Sequence, residues 1–228
     1  MAMVYFLQLI TEMTDAGTDQ EHIELLIHSK PQTPDRTNFI LGKSKESPLP
    51  VLEEVGEALV SQGAELIAIP CITAHFFQKE LEQKIGCPIV HAIEETARYL
   101  LSEKIEKVGL MATDGTVESR LFQQIMEKHG ISCVVPEKEN QKQVMHLIYQ
   151  NVKAGKKPEM DRFGQISEEL FQKGAQVILL GCTELSLIKR DNILNAGFLD
   201  VLEVLARQVV LLSGAKLKPE YEHLITGK

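Results

Sequence analysis

No run of about 18 apolar residues occurs in the 228-residue chain, so no segment reads as a membrane-spanning helix. The opening MAMVYFLQLITEM has no basic stretch ahead of its apolar one and no small-residue cleavage site, so it does not read as a secretory signal. Low-complexity tracts are absent as well. A cytoplasmic protein with reduced thiols is the expectation. Positive charge is also scarce: 32 acidic residues outweigh 24 basic ones, for a net charge of −8. That balance argues against nucleic acid and anionic membrane as partners. The basic cluster KAGKK at 153–157 reads as a solvated helix end. The four cysteines include no close pair of the kind structural zinc sites use. A metal reading would have to combine Cys71 with His75 and Cys182 with Glu184; no metal is expected.

What is present is an ordinary globular composition, 44% apolar and 25% charged. One phrase is stated twice. VGEALVSQGAELIAIPC, from Val55 to Cys71, lies without a gap over ISEELFQKGAQVILLGC, which ends at Cys182. Glu57/Glu168, Leu59/Leu170, Gly63/Gly174, Ala64/Ala175, Ile67/Ile178 and Cys71/Cys182 are repeated identically. A duplication of this kind implies two lobes: lobe one over 1–103, with 197–228 packing on it, and lobe two over 104–196.

Strand-like and helix-like segments alternate throughout. HIELLI (22–27), ELIAI (65–69), Pro88–His91, VGLMAT (108–113), ISCVV (131–135) and QVILL (176–180) read as strands. Helices are expected from Ser47 or Pro48 to Gly63, over Thr73–Ile85, Ile93–Ser102, Val117–Lys128, 140–154 and 160–173, and over Leu199–Leu212. The tail LKPEYEHLITGK reads as loosely held. The fold class is therefore α/β, two similar lobes with parallel sheets flanked by helices and a cleft between them. Lobe two opens with strand, turn and helix. Lobe one opens within the matching helix, so a first strand is expected to be lacking from it.

Each repeated cysteine stands where an apolar strand ends and a helix begins. Ligands gather at that end of a parallel sheet, and the positive end of a helix lowers a thiol pKa from about 8.5. Thr73 and Thr183 can cap those helices and offer hydroxyls to a carboxylate. Two buried structural thiols are the competing reading. Cys87 and Cys133 lack the repeated setting, and Cys133 reads as core.

The segments IPCITAHFF and LLGCTELSLI, with PQTPDRT upstream and VGLMATDGTVES between, resemble the aspartate/glutamate racemase family over nearly the whole chain. Glu184 after the second Cys-Thr, where glutamate racemases usually carry His, points to the aspartate-type branch. The resemblance implies cofactor-independent racemisation of an acidic amino acid, aspartate first and glutamate second, in a homodimer. Cys71 and Cys182 would be the two proton carriers, one as thiolate and one as thiol, on opposite faces of Cα. Arg36 and Lys153 would bind carboxylates; a loop-structuring Arg and a helix-terminal Lys are the alternatives. Gln32, Ile72, Thr73, Thr183 and Glu184 would contact substrate, with His75, Thr113 and Thr116 in support. Two departures stand out. The family usually reads Cys-Asn-Thr where this chain has Cys71-Ile72-Thr73, and Ile offers no donor. The glycine-rich loop after the first strand is not found. A relative that only binds an acidic amino acid is the reading from another class.

Overall fold

The computed structural model describes residues 2–227. Helix α1 (Ala2–Met13) buries Tyr5, Phe6, Leu9, Ile10 and Met13 along one stripe, the spacing of an amphipathic helix. An irregular stretch leads to α2 (Arg36–Ile40), α3 (Leu49–Ser61), a 3₁₀ segment Ile72–Phe77, α4 (Gln78–Ile85) and α5 (Ala92–Ser102). β1 (Lys107–Met111), α6 (Asp114–Glu118), α7 (Leu121–Lys128) and β2 (Ser132–Val134) come next. The chain continues through α8 (Lys138–His146), a π-helical turn Leu147–Val152 and α9 (Met160–Gln172). It closes with β3 (Val177–Leu180), α10 (Thr183–Asp191), β4 (Phe198–Asp200) and α11 (Val201–Leu212).

The four strands form one parallel sheet in the order β2-β1-β3-β4. In β3 all four residues are buried, because both faces are covered. Val177 and Leu179 join the main core with residues of α1, α5, α7 and α11. Ile178 and Leu180 pack on the other face with Leu147, Ile148, Phe163, Ile166, Leu170 and Leu185. Gly109 in β1 lies so close to Leu170 and Ala175 that a Cβ there would come within 3.0 Å of Leu170.

The sequence repeat is a structural repeat at its turns. Gly63 and Gly174 both take a left-handed φ, +100° and +86°, where a side chain would be strained. Ala64 N–H donates to Leu59 O and Ala175 N–H to Leu170 O, both at 3.1 Å. Ile67 N–H donates to Pro88 O at 2.9 Å as Ile178 N–H does to Gly197 O at 2.8 Å. Beyond those turns the lobes differ. The strand expected at 22–27 is irregular chain, and ELIAI keeps one parallel bridge, Ile67 with Ile89. Both segments have apolar strand content, but a strand needs a neighbour on which to close its hydrogen bonds.

Other boundaries shift for local reasons. The helix expected over Val117–Lys128 is broken into α6 and α7, with Arg120 in a left-handed conformation (φ 55°) between them. Thr73–Ile85 divides into the 3₁₀ segment and α4, and 140–154 into α8 and the π turn. Leu199 and Asp200, where the last helix is expected to start, belong with Phe198 to β4 and pair with β3 instead. The C-terminal tail is not loose: Leu224 and Ile225 are core residues, and Thr226 N–H donates to Phe198 O at 2.9 Å. α11 packs on α1 and α5.

Candidate active site

Cys71 and Cys182 open their turns in the same way. The Cys71 carbonyl accepts from Ala74 N–H and the Cys182 carbonyl from Leu185 N–H, each at 2.9 Å. Gly181 lets the second turn form, since a Cβ there would meet Leu110 Cδ1 at 2.9 Å. Both thiols are free and both line a single cavity of about 1280 Å³. Arg36, Thr73, Thr113, Lys153, Thr183 and Glu184 line it with them.

The two sulfurs keep opposite electrostatic company. Arg36 Nη2 donates to Cys71 Sγ at 3.5 Å. The same guanidinium holds its loop, with Nη1 donating to the carbonyls of Thr33 (3.2 Å) and Pro34 (3.0 Å), so both readings of Arg36 apply. Burial works against the Arg36 charge, yet Cys71 and Asp35 more than offset it and its pKa rises. Cys182 Sγ donates to Glu184 Oε2 at 2.8 Å, and Thr183 Oγ1 donates to the same oxygen at 3.2 Å. Burial, then the Glu184 charge and hydrogen bond, push the Cys182 thiol well above its ordinary range. This reverses the expectation from the helix dipole: at Cys182 desolvation and a nearby carboxylate outweigh it.

Lys153 follows the π turn, whose wider winding is common at functional sites. Its Nζ lies 4.2 Å from the centre of the Tyr149 ring. Burial disfavours the ammonium, but Glu184 and Tyr149 raise its pKa overall. Tyr149 OH donates to Asp35 Oδ2 at 3.3 Å, while Asp35 Oδ1 caps α2 by accepting from Asn38 N–H at 2.7 Å. The π turn is thereby tied to the loop that carries Arg36.

Beside Cys71 the hydroxyls of Thr73, Thr113 and Thr116 form a triangle with sides of 3.0–3.1 Å, and Thr37 Oγ1 donates to Thr113 at 3.2 Å. His75 is buried between Ile69 O (3.1 Å) and Gln78 Oε1 (2.7 Å), and burial lowers its pKa to about 4. It fixes the turn after Cys71 from outside the cavity. Ile72 reaches the cavity but is otherwise core, 2% exposed. Gln32 is not brought to the site: it is exposed, and the cavity wall passes from Pro31 to Thr33. Cys87 is buried in lobe one and Cys133 lies in β2, its thiol pushed up to about 12 by burial.

Sequence reasoning missed Asp35, Thr37 and Tyr149. Tyr149 stands four residues before Lys153, a helical spacing that sets the two on one face. Asp35 and Thr37 lie in the PQTPDRT segment that carries the resemblance, but the partner of Thr37, Thr113, is 76 positions away.

A model of the Asp/Glu/Hydantoin racemase family matches residues 1–209. The chain belongs to that family. Picrophilus torridus aspartate racemase is 30% identical, with a TM-score of 0.80 over 96% of this chain and 92% of that one. An aspartate racemase homologue from Pyrococcus horikoshii OT3, 24% identical, shares the fold with a TM-score of 0.75 over 93% and 94% of the two chains. The broad specificity amino-acid racemase RacX of Bacillus subtilis strain 168 is 27% identical over 135 residues. That match covers 57% of this chain and 56% of RacX, so the chain spans about half the length of that relative. Among the described residues, no helix of this family member is long and apolar enough to cross a membrane.

Proposed function

We propose that this protein racemises a small acidic amino acid, aspartate first and glutamate second, by two-thiol proton transfer at Cα. The observation that carries the reading is the pair of free thiols on one cavity, a guanidinium beside Cys71 and a carboxylate beside Cys182. Likeness to an aspartate racemase at 30% identity over almost the whole chain supports the substrate class.

In this reading Cys71, as thiolate, takes the Cα proton from one face. The electron pair left on Cα spreads into the α-carboxylate. The Cys182 thiol then delivers its own proton to the opposite face, so the enzyme ends with Cys71 protonated and Cys182 ionised. The reverse turnover runs the same steps backwards. Arg36 and Lys153 supply the positive charge that carboxylates need, and the threonine hydroxyls with nearby N–H groups stabilise the charge that develops. Before a further turnover in the same direction Cys71 releases its proton to solvent and Cys182 takes one up, and Glu184 holds it there. The reading includes a homodimeric cytoplasmic enzyme without pyridoxal phosphate or metal, with lobes at 1–103 and 104–196; of the residues beyond, Phe198–Asp200 joins the lobe-two sheet and α11 packs on α1 and α5.

Ile72 favours one competing reading, a relative that binds an acidic amino acid without turning it over. An apolar side chain stands where a donor would lower the barrier, and losing one such donor costs about 3 kcal/mol. Cysteine replacement separates the two. Cys71→Ser and Cys182→Ser should each cut racemisation in both directions by about 100- to 10,000-fold while aspartate still binds. Exchange of the Cα proton on one face should persist in either variant. Undiminished racemisation by either one would rule out the two-thiol assignment.

A further inference from the structure

The repeat carries on behind the two cysteines, and there its chemistry changes. Ile67 pairs with Ile89 as Ile178 pairs with Phe198. His91 and Asp200, each two residues further on, therefore stand in equivalent places, and each caps the helix that follows. His91 Nδ1 accepts from Glu94 N–H at 3.4 Å, and Asp200 Oδ1 accepts from Leu202 N–H at 2.9 Å. The residue four positions past each cysteine meets that cap. In lobe one it is His75, its ring centre 5.6 Å from that of His91. In lobe two it is Ser186, whose Oγ donates to Asp200 Oδ1 at 2.7 Å, and both residues are fully buried.

Capping alone does not account for a carboxylate at position 200, since serine or asparagine caps a helix as well. Here Oδ1 takes two donors, while Oδ2 is buried and has no partner among the described residues, which is a cost. The ionisable groups that act on Asp200 or feel its charge are Lys189 of α10, Glu203 of α11 and Tyr5 of α1, with Lys189 paired to Glu203. Burial and the Glu203 charge push the Asp200 carboxyl up to about 7, against Lys189. A proton taken up near neutral pH can sit on Oδ2, so Oδ1 accepts from Ser186 in both states. Ser186 is in turn bound to Cys182. Its N–H donates to the Cys182 carbonyl at 3.2 Å, and its Oγ lies 3.5 Å from the same oxygen. Fixing Ser186 thus fixes the Cys182 peptide, and with it the place of the thiol against Glu184 Oε2.

We propose that Asp200 is a positioning residue for Cys182: through the Ser186 hydroxyl it holds the first turn of α10, which keeps the thiol on Glu184. The inference rests on the reading of Cys182 as the resting proton donor. At Cys71, the resting base of that reading, the equivalent place holds two imidazoles whose pKa burial lowers. The duplication kept the cysteines and changed the pair behind them, where the two thiols have to differ.

The test reads the thiols themselves in the full chain. Ser186→Ala removes the link and leaves Asp200 to cap α11. Asp200→Ser keeps a hydroxyl cap, but its side chain is too short to reach Ser186 as well. Alkylation by iodoacetamide is followed against pH at each cysteine by peptide mass analysis. In both variants the Cys182 profile should move to lower pH by about one unit, because a thiol released from Glu184 ionises more readily. The profiles of Cys71 and of Cys133 in β2 should stay where they are, which a general loosening of the fold would not allow. A Cys182 profile that coincides with the parent's in either variant, or Cys71 moving together with Cys182, would overturn the assignment. Alkylation needs no turnover, so a protein that fails to racemise aspartate still answers the question.

Discussion

At Cys182 burial and the Glu184 carboxylate act in one direction, holding a proton on the sulfur, while Lys153 opposes them. Glu184→Gln removes the charge and keeps the shape. The Cys182 thiol should then ionise at lower pH, seen as an earlier rise in its alkylation by iodoacetamide; an unmoved profile would remove Glu184 from that role. His75 works in the opposite sense. Its pKa falls from 6.5 to about 4 on folding, mainly through burial, so the unfolded chain binds the extra proton between those values. Stability from this group is whole above pH 6.5 and is lost as pH falls toward 4, up to about 3 kcal/mol. Urea midpoints of the parent should drop through that window, and those of His75→Asn should drop less. The candidate residues that line the cavity were legible in sequence because the repeat marked the cysteines and the resemblance marked Arg36 and Lys153. Tyr149 and Thr37 were not legible, because their partners come from segments far off in the chain. Gln32 was misplaced because loop residues next to one another face opposite ways.

Individual elements show where local sequence governs and where packing does. The glycine caps after α3 and α9 follow from sequence, since only glycine takes that φ without strain, and both copies make the same closing bonds. β3 formed as expected because β1 and β4 flank it. ELIAI, with the same composition, kept only its bridge to Ile89, because strand propensity records a fit to neighbours rather than an intrinsic preference. The meeting of α6 with α2 sets the hydroxyl cluster. A Cβ on Gly115 would come within 2.9 Å of Thr37 Cα, so the two helices touch only because position 115 is bare. Gly115→Ala should push α2 away, lower stability by about 1–3 kcal/mol and reduce turnover, since Arg36 is in α2. Thermal unfolding and steady-state rates check this, and a variant matching the parent in both would contradict it.

Across the whole molecule, two lobes built on one repeated phrase differ in finish. Lobe two carries the four-stranded sheet, with helices burying both faces. Lobe one holds a smaller cluster around Ile67, Phe77, Leu81 and Ile89, and among the described residues its segment 65–69 is paired only through Ile67, with no backbone partner for 23–29. Local opening follows the density of buried contacts and closed hydrogen bonds, so amides at 65–69 should exchange well before those of 107–111 and 177–180. Equal protection in both lobes would contradict the imbalance. The cleft draws Cys71 from the open lobe and Cys182 from the closed one, and under the proposed mechanism each would serve one face of the substrate's Cα. The most direct measurement of that claim is incubation of the protein with L-aspartate in deuterium oxide, followed by chiral separation and mass analysis. The account predicts D-aspartate carrying one deuterium at Cα, since its new hydrogen comes from a thiol equilibrated with solvent. Bound L-aspartate with neither deuterium uptake nor D-enantiomer, or D-aspartate that keeps its original hydrogen, would contradict it.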